Sequence, residues 1–528
     1  MKVLFINPPY RLYPPFEYTL CDPPRNLTLL AAILQKEHDV EIFDMPILGK
    51  DFHSVKKYIE DSDFSVIGIA NRATYSFPMV KRIAEDIKTV TTTPIMVGGT
   101  YVSFAPREAM ELCPEIDYVI VGEGEYSTPA LLEYLQGTIP LDDVGGVAYR
   151  HNGEIVCNPP RKSVENLDEL PMPANELLPL DAYIERNQRY ILEASRGCLY
   201  RCFYCTSSYN KTLRSRSSEN ILKEIIWAYK RGFRRFYFID DIFTVKRDLA
   251  VNINEGILDA GLELAYYCMT RVDSVDEELL TLMGRAGCRV IAYGVESAAE
   301  ETLTGLGRSK QFEEVKRAFS LTRKAGIQAQ AFIMCGLPHS TFKNEIEIIN
   351  LLREVNPSSI GGFCFKPFPG TKYYDSPESE GIKYIEKDFS RFSFLDIPTH
   401  ETEDLAWEEI VQVMMTAHAI YRIQEKFTPG TKYKRKKKVT LIKTDEGGIF
   451  YNPFKPVEKR KTDMFLSCVR LDNVSFEILY RCDGFHNVED IVTYVSKLFD
   501  LEEKEAETRV HTTIEQLSQR NIIEKLEW

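Results

Sequence analysis

Short apolar runs alternate with helix-length stretches over most of this chain, and this alternation constrains its fold more than any other feature. In the first 140 residues the runs begin at Val3, Val40, Val66, Ile95 and Tyr118. Alternating strands and helices build a parallel sheet that binds ligands beyond the carboxyl ends of its strands. We therefore predict a doubly wound α/β domain over residues 1–140. No G-x-G-x-x-G opens its first helix, which disfavours a nicotinamide-binding domain.

A second alternating series occupies residues 188–375. Its six apolar runs begin at Tyr190, Phe236, Leu264, Val290, Gln328 and Ser359. Six βα units are too few for a closed eight-stranded barrel, and in such folds the active-site groups belong at the carboxyl ends of the strands. Between the two series, residues 141–187 lose periodicity and are rich in proline and polar residues, which predicts a linker.

Three cysteines follow the first run of the second series with the spacing C-x3-C-x2-C. They are Cys198, Cys202 and Cys205. Thiolates this close can hold an iron–sulfur cluster, and ferredoxin-type cubanes use four of them. Because there is no nearby fourth cysteine, one iron would keep an open coordination position, which is where metal sites do chemistry. The alternatives are three unrelated core thiols or a structural zinc site, but neither Cys nor His follows at the spacing that a zinc site needs.

The triad, with Tyr204 just before its last cysteine, resembles the signature of the radical S-adenosylmethionine (SAM) enzymes. The resemblance implies a [4Fe–4S] cluster on Cys198, Cys202 and Cys205 and an open (β/α)6 barrel over residues 188–375. SAM would chelate the fourth iron and be cleaved there to methionine and a 5′-deoxyadenosyl radical. The implied SAM-binding residues are Tyr204, Asp240, Asp241, Arg271, Glu296, Gly336 and Pro338.

Three motifs near the strand ends of the first series resemble the cobalamin-binding domain of B12-dependent radical SAM enzymes. They are Asn7-Pro-Pro, the stretch 97–106 with Gly98-Gly-Thr, and the stretch 117–125 ending Gly122-Glu-Gly-Glu. The implied cobalamin-binding residues are Asn7, Pro8, Gly98, Gly99, Thr100, Gly122, Glu123 and Gly124. A flavodoxin-like domain without a cofactor is the alternative, because fold does not imply function.

The D-x-H-x-x-G motif, which gives a histidine to cobalt in other B12 proteins, is absent here. The resemblance therefore implies cobalamin without a histidine ligand. Its lower face would be empty, hydrated or met by another side chain. The candidates are Tyr10, Tyr13, Tyr18 and Arg25.

The last third of the chain changes character. Residues 376–437 predict a helical connector that ends in the basic run 432–438, and residues 438–528 predict three short strands followed by three helices, the last over 503–520. The stretch from Leu471 onward resembles the PqqD-like winged-helix modules, which recognise peptides by adding them as a strand to a sheet edge. The implied peptide-binding residues are Met464, Leu466, Cys468 and Arg470. Such a module can also serve only as a packing domain.

Composition limits the classes of partner. The 528 residues carry a formal net charge of −13, which argues against a general nucleic-acid or anionic-membrane binder. No apolar run reaches the length of a transmembrane helix. The twelve cysteines are too scattered for a disulfide framework, which favours a reducing cytoplasm.

Together the resemblances imply a cobalamin-dependent radical SAM C-methyltransferase that acts on an unactivated carbon of a peptide or protein. Methylcobalamin would be the methyl donor, the 5′-deoxyadenosyl radical would abstract hydrogen, and flavodoxin or ferredoxin would supply electrons. A cyclase or rearrangement enzyme acting on a small molecule or lipid is the main alternative. A peptide-binding protein with a relic barrel is a second, which the intact triad disfavours. A methylthiotransferase would need another cysteine triad near the N-terminus, where only Cys21 and Cys113 occur.

Overall fold

The computed structural model describes residues 1–9, 21–206, 212–308, 312–385, 389, 392, 398–424, 440–444, 447–451, 468–471, 496, 501–502, 504–510 and 512. Two compact units divide the chain. The first is Met1–Val413 and contains both predicted βα series, and the second is Met414–Trp528. Within the described part of the chain, no helix has the length and apolar character needed to span a membrane.

The first sheet has seven strands in the order β2-β1-β3-β4-β5-β6-β7. They are β1 (Lys2–Asn7), β2 (Asp39–Asp44), β3 (Val66–Asn71), β4 (Ile95–Gly99), β5 (Tyr118–Ile120), β6 (Val147–His151) and β7 (Glu154–Cys157). Strands β1 to β5 are parallel, and the central ones are almost wholly buried because helices cover both faces. This confirms the predicted doubly wound domain.

The helices of this first domain alternate with its strands. They are α1 (Arg25–Leu34), α2 (Met45–Leu48), α3 (Phe52–Glu60), α4 (Phe77–Lys88), α5 (Thr100–Phe104), α6 (Pro106–Leu112) and α7 (Gly124–Leu135). The sheet continues past residue 140, because β6 and β7 form a hairpin that adds to β5 in antiparallel fashion. The prediction that 141–187 is only a linker was therefore wrong. The apolar pattern of β6 and β7 is short. These residues form strands because β6 pairs with β5 and β7 with β6, not because of a local periodicity.

The second sheet has six parallel strands in the order β15-β14-β13-β12-β11-β8. Its elements are α8 (Leu180–Glu185), β8 (Tyr190–Leu192), β9 (Ser195–Arg196), β10 (Arg214–Ser215), α9 (Ser218–Lys230), β11 (Arg235–Phe238), α10 (Arg247–Asp259), β12 (Ala265–Thr270), α11 (Glu277–Arg285), β13 (Cys288–Glu296), α12 (Glu300–Gly305), α13 (Phe312–Lys324), β14 (Gln328–Cys335), α14 (Phe342–Val355) and β15 (Ser359–Cys364). Spatial order follows chain order, so all six predicted units are confirmed. Strands β9 and β10 form a separate two-stranded ribbon.

The second sheet is curved like part of a barrel. The hydroxyl of Tyr267 on β12 donates to Oε1 of Gln330 on β14 at 3.3 Å, although β13 lies between these strands. The ring of Tyr237 on β11 packs against Tyr267, with centroids 4.8 Å apart. Side chains of strands two apart meet only on a concave face. Polar and aromatic groups therefore line the inside of this partial barrel.

Beyond the barrel, the first unit continues with α15 (Lys372–Asp375), β16 (Ile382–Ile385), β17 (His400–Thr402) and the start of α16 (Trp407–Gln424). The second unit contains the antiparallel sheet of β18 (Thr440–Thr444), β19 (Gly447–Tyr451) and β20 (Cys468–Leu471). Residues 504–510 are helical. Met464 and Leu466 lie outside the described residues, and so does the basic run 432–438. Of the two helices predicted before residue 500, only Ser496 is described.

Candidate active site

The three cysteines of the triad lie on a loop at the carboxyl end of β8. Cys198, Cys202 and Cys205 are all half-buried and sit between the ribbon strands β9 and β10. The loop is pinned from the barrel side, where the amide of Phe203 donates to the carbonyl of Leu306 at 3.2 Å. No group of three His, Cys, Asp or Glu side chains in the described residues is gathered around one point as for a single metal ion.

Asp240 lies beneath the loop and holds it to the barrel. One carboxylate oxygen accepts from the Ala194 amide at 3.0 Å and the other from the Ser195 hydroxyl at 2.6 Å. The side chain is 2% exposed, and burial raises the pKa of Asp240 to about 6. Both oxygens are thus engaged inside the protein. Asp240 thus accepts hydrogen bonds from the start of the cysteine loop, and its binding of SAM stays a prediction.

The charges of Asp241 and Arg271 both act on the Cys198 thiol. Burial raises the pKa of the Cys198 thiol above its ordinary value, and the negative charge of Asp241 adds to this. The Arg271 guanidinium stacks over the ring of Tyr200, a residue of the cysteine loop, at 3.8 Å. It also forms a two-point ion pair with Asp273, with N–O distances of 2.9 and 2.7 Å. A carboxylate of SAM would have to share Arg271 with Asp273.

Glu296 and Tyr204 meet at an arginine that the sequence analysis missed. Arg308 donates from Nη1 to Glu296 Oε1 at 3.0 Å and to the Tyr204 hydroxyl at 3.2 Å, and from Nη2 to the Gly294 carbonyl at 3.0 Å. Burial raises the pKa of Glu296 although Arg308 opposes the rise. Glu296 also has φ +65°, an uncommon conformation for a residue with a side chain. Strain of this kind occurs where a side chain must be aimed at a ligand.

The loop of Gly336 and Pro338 follows β14 and is held on both sides. The Gly336 amide donates to Glu345 Oε1 at 3.3 Å, and its carbonyl accepts from His400 Nε2 at 2.7 Å. Burial lowers the pKa of His400 to about 4, so the imidazole is neutral near pH 7 with its proton on Nε2. Gly336 has φ +77°, and an added Cβ would lie 2.7 Å from Ile410. His400 comes from β17, beyond the barrel, and no motif in the sequence indicated it.

A cavity of about 280 Å³ lies where the carboxyl edge of the first sheet meets the start of the second. Its apolar lining includes Phe5, Leu27, Leu30, Met96 and Ile120. Glycines of the first sheet and its loops also line it, namely Gly68, Gly98, Gly99, Gly122 and Gly124. The barrel contributes Glu193, Arg196 and Ile239 to the same wall. One cavity is therefore bounded by both predicted cofactor-binding domains.

Most of the predicted cobalamin residues surround this cavity. Gly98, Gly99, Gly122, Glu123 and Gly124 line it. Asn7 ends β1 and donates to Asp44 Oδ1 at 2.9 Å, while its own Oδ1 is buried without a hydrogen-bond partner. Thr100 begins α5 and is exposed, and Pro8 is buried directly after β1. Neither Asn7, Pro8 nor Thr100 is among the residues of the cavity wall.

The cavity has the chemistry that cobalamin needs. Cobalamin combines apolar ring faces with a rim of amide groups, and here an apolar slot opens on the polar groups Glu123, Glu125, Glu193 and Arg196. The glycines let the backbone approach a large ligand closely. No histidine is among the described residues that line it. Arg25 also lines it, but its guanidinium is engaged by the fully buried Glu224 and cannot ligate cobalt. Tyr10, Tyr13 and Tyr18 lie outside the described residues.

Comparisons with known proteins agree with this division. Residues 17–132 match the B12 binding domain, residues 192–352 the Radical SAM superfamily, and residues 465–523 coenzyme PQQ synthesis protein D. An uncharacterized methyltransferase of Pyrococcus horikoshii is 28% identical, over 81% of this chain and 93% of its own length. An anaerobic magnesium-protoporphyrin IX monomethyl ester cyclase of Rubrivivax gelatinosus is 25% identical, over 84% and 81%.

A solved structure shares the fold. The radical SAM methyltransferase TsrM from Kitasatospora setae, determined with cobalamin and a [4Fe–4S] cluster, superposes with a TM-score of 0.60 at 20% identity, covering 70% of this chain and 76% of TsrM. With a B12-binding domain and a radical SAM domain, the cofactors of this chain are cobalamin, SAM and a [4Fe–4S] cluster.

Proposed function

We propose that this cobalamin-dependent radical SAM enzyme transfers a methyl group to an unactivated carbon of a peptide or protein. The observation that carries the proposal is the cavity walled both by the cobalamin-domain glycines and by Glu193 and Arg196, just before Cys198. When bound, cobalamin supplies a methyl group, and SAM on the cluster supplies a hydrogen-abstracting radical. Both reagents must reach one substrate carbon away from water, and a shared cavity meets that requirement.

The residues around the cysteine loop support a role in SAM binding. Arg308 joins Tyr204 to Glu296, and Arg271 stacks over Tyr200 of the same cysteine loop. In our proposal the loop of Gly336 and Pro338 adds a backbone edge. In our proposal Glu296 accepts hydrogen bonds from ribose hydroxyls, with Arg308 holding its carboxylate in place. Asp241 and Arg271 bind the charged groups of the methionine part. The electrons come from a flavodoxin or ferredoxin, in the cytoplasm.

The peptide substrate is supported by the PqqD-like segment. Its strand β20, which contains Cys468 and Arg470, stands at one end of the three-stranded sheet formed by the described residues. A strand in that position can accept a peptide through backbone hydrogen bonds. In this proposal Met464, Leu466, Cys468 and Arg470 face the peptide.

A second candidate is ring formation or rearrangement on a small molecule or lipid. The cyclase relative, which aligns over 84% of this chain, favours it. The same cluster and the same cobalamin cavity serve either reaction, so the fate of the SAM methyl group separates them.

The test uses anaerobically reconstituted enzyme, SAM with a deuterated methyl group, and candidate peptides encoded by neighbouring genes. We expect mass spectrometry to find one labelled methyl per modified peptide, together with 5′-deoxyadenosine. A modified product without the label would favour the second candidate.

Deleting residues 438–528 should weaken binding of a long peptide far more than it slows SAM cleavage. Equal methylation of the full-length peptide by the truncated enzyme would remove the peptide-binding role.

A further inference from the structure

Both ends of the cysteine loop are tied to the cobalamin cavity. The loop runs from Arg196 on β9 to Arg214 on β10, and these two arginines are direct cross-strand neighbours. Each reaches to the loop Gly122-Glu-Gly-Glu125 that follows β5 of the first sheet. Contacts between residues 71 and 91 positions apart in the chain thus meet where the loop begins and ends.

The contacts form a network of charged groups. Arg196 Nη1 donates to Glu125 Oε1 at 2.7 Å, and its Nε donates to Glu193 Oε2 at 2.9 Å. Arg214 makes two hydrogen bonds to Glu123, one of them at 3.0 Å, and Glu123 Oε2 lies 3.7 Å from Arg196. The same Oε2 accepts from the Val164 amide at 3.0 Å. Glu123 therefore joins the two arginines and a third segment of the chain.

The network is largely shielded from water. The side chains of Arg196 and Arg214 are 14% and 7% exposed, and that of Glu125 is 8% exposed. Burial alone would raise the pKa of Glu123, but the hydrogen bonds of Arg214 and the charge of Arg196 hold it below its ordinary value. The Glu123 carboxylate is therefore charged near neutral pH. Removing one partner leaves a buried charge uncompensated, which disturbs the surrounding loops.

The position of the network indicates a role beyond stabilising the fold. Glu123, Glu125, Glu193 and Arg196 all line the cobalamin cavity, while Arg196 stands two residues before the first cluster cysteine, Cys198. The carboxylates that border the cobalamin cavity thus also hold the two ends of the cysteine loop, in addition to its contacts with Asp240 and Leu306. A shift of Gly122–Glu125 would move the cluster with it.

We propose that Glu123 and Glu125 are positioning residues for the cluster: through Arg196 and Arg214 they hold both ends of the cysteine loop at a fixed distance from the cobalamin cavity. This role is independent of whether the enzyme methylates or cyclises its substrate. It predicts that the carboxylates affect the order of the cysteine loop even when no cofactor is bound.

The first experiment measures alkylation of the full-length apoprotein by iodoacetamide, followed by mass spectrometry of each cysteine. Glu123→Gln combined with Glu125→Gln should raise the rate at Cys198, Cys202 and Cys205 about tenfold, since the loop loses both anchors. The buried Cys113 reports on the fold and should stay unreactive. Arg82→Gln, which removes an exposed helical ion pair of the same domain, is the matched control and should change nothing.

Two outcomes of this experiment overturn the proposal. One is an unchanged rate at the three cysteines in the double variant. If reactive Cys113 shows that the double variant has unfolded, Glu125→Gln alone is measured, because it leaves the pair of Glu123 and Arg214 intact. An unchanged rate in that single variant also overturns the proposal.

The second experiment uses the loaded enzyme without substrate. Pulsed EPR of reduced cluster and cob(II)alamin gives the distribution of distances between the two centres. We expect a narrow distribution in wild type and in Arg82→Gln, and a broader one in Glu125→Gln. Arg196→Lys keeps the charge but loses the planar fork, so its distribution should be intermediate. Equally narrow distributions in all variants would show that the network only stabilises the fold and does not position the cluster.

Discussion

Adjacent glycines at the end of β4 allow the same one-methyl change to test the cavity and the fold separately. Gly98 lines the cavity, and a Cβ added there meets only Ile120, at 3.6 Å, which is ordinary contact. Gly99 has φ +139°, and a Cβ there would lie 1.8 Å from the carbonyl oxygen of Asn71, its partner on β3. Gly98→Ala should therefore disturb cobalamin binding, and Gly99→Ala the sheet itself.

The two substitutions should affect the free energy of unfolding of the apoprotein differently. Gly98 is not among the positive-φ residues, so alanine there should leave the apoprotein as stable or stabilise it by about 0.4–1 kcal/mol through the unfolded chain. Its methyl group enters the cavity of about 280 Å³. Overpacking costs about 1–3 kcal/mol, which corresponds to cobalamin binding weaker by about fivefold to 150-fold. Gly99→Ala must push two backbones apart in a conformation reserved for glycine, which should cost more than about 3 kcal/mol.

The assays are urea unfolding of the apoprotein and an absorbance titration with cobalamin. Gly137→Ala is the control for conformation alone, because Gly137 has φ +79° with nothing within 4 Å of an added Cβ. It should cost only about 1–2 kcal/mol. Unchanged cobalamin affinity in Gly98→Ala would refute the assignment of the cavity. Wild-type stability in Gly99→Ala would refute the packing argument.

Three further predictions test the cluster, the cobalt and the buried acid beneath the loop. Replacing Cys198, Cys202 and Cys205 together by Ala should abolish the visible absorption of the reconstituted cluster and all SAM cleavage but spare cobalamin binding; 5′-deoxyadenosine from this variant would contradict the assignment. Bound cob(II)alamin should show no nitrogen splitting from an axial ligand in its EPR spectrum, since the described cavity wall has no histidine, and clear splitting would disprove this. Burial raises the pKa of Asp240 to about 6, so its contribution to the free energy of unfolding, about 3 kcal/mol, is fully present below pH 3.8 and is lost as pH rises through about 6. Asp240→Asn should flatten that slope in urea unfolding at several pH values, and an unchanged slope would assign it to other groups.

Much of the architecture could be predicted because its signals are local. The first five strands of the first sheet and all six of the second are short apolar runs that contribute buried side chains to the core, and hydrophobic periodicity indicates such runs directly. The hairpin of β6 and β7 was missed because its residues sit in a stretch rich in proline and polar side chains. Only its pairing with β5 makes it part of the sheet.

The candidate site was predicted less completely than the fold. Glu296 and Tyr204 were expected from a family motif, but Arg308, which joins them, lies in a stretch without a motif. Asp240 was assigned to SAM because of its place after a strand, but its position after a strand did not indicate that its buried oxygens also accept hydrogen bonds from Ala194 and Ser195. His400 supports Gly336 from 64 residues away. Spacing along the chain does not report contacts of this kind.

The sequence by itself determined the elements and the chemistry that each can offer: two βα series, a triad of thiolates, and glycines where the backbone must approach a ligand. Those properties depend on each residue and its near neighbours. Only the tertiary structure decided that Glu123 and Glu125 meet Arg196 and Arg214, and that one cavity has walls from both domains. Ion pairs and cavities depend on distances between segments far apart in the chain, and those distances are set by packing of the whole first unit.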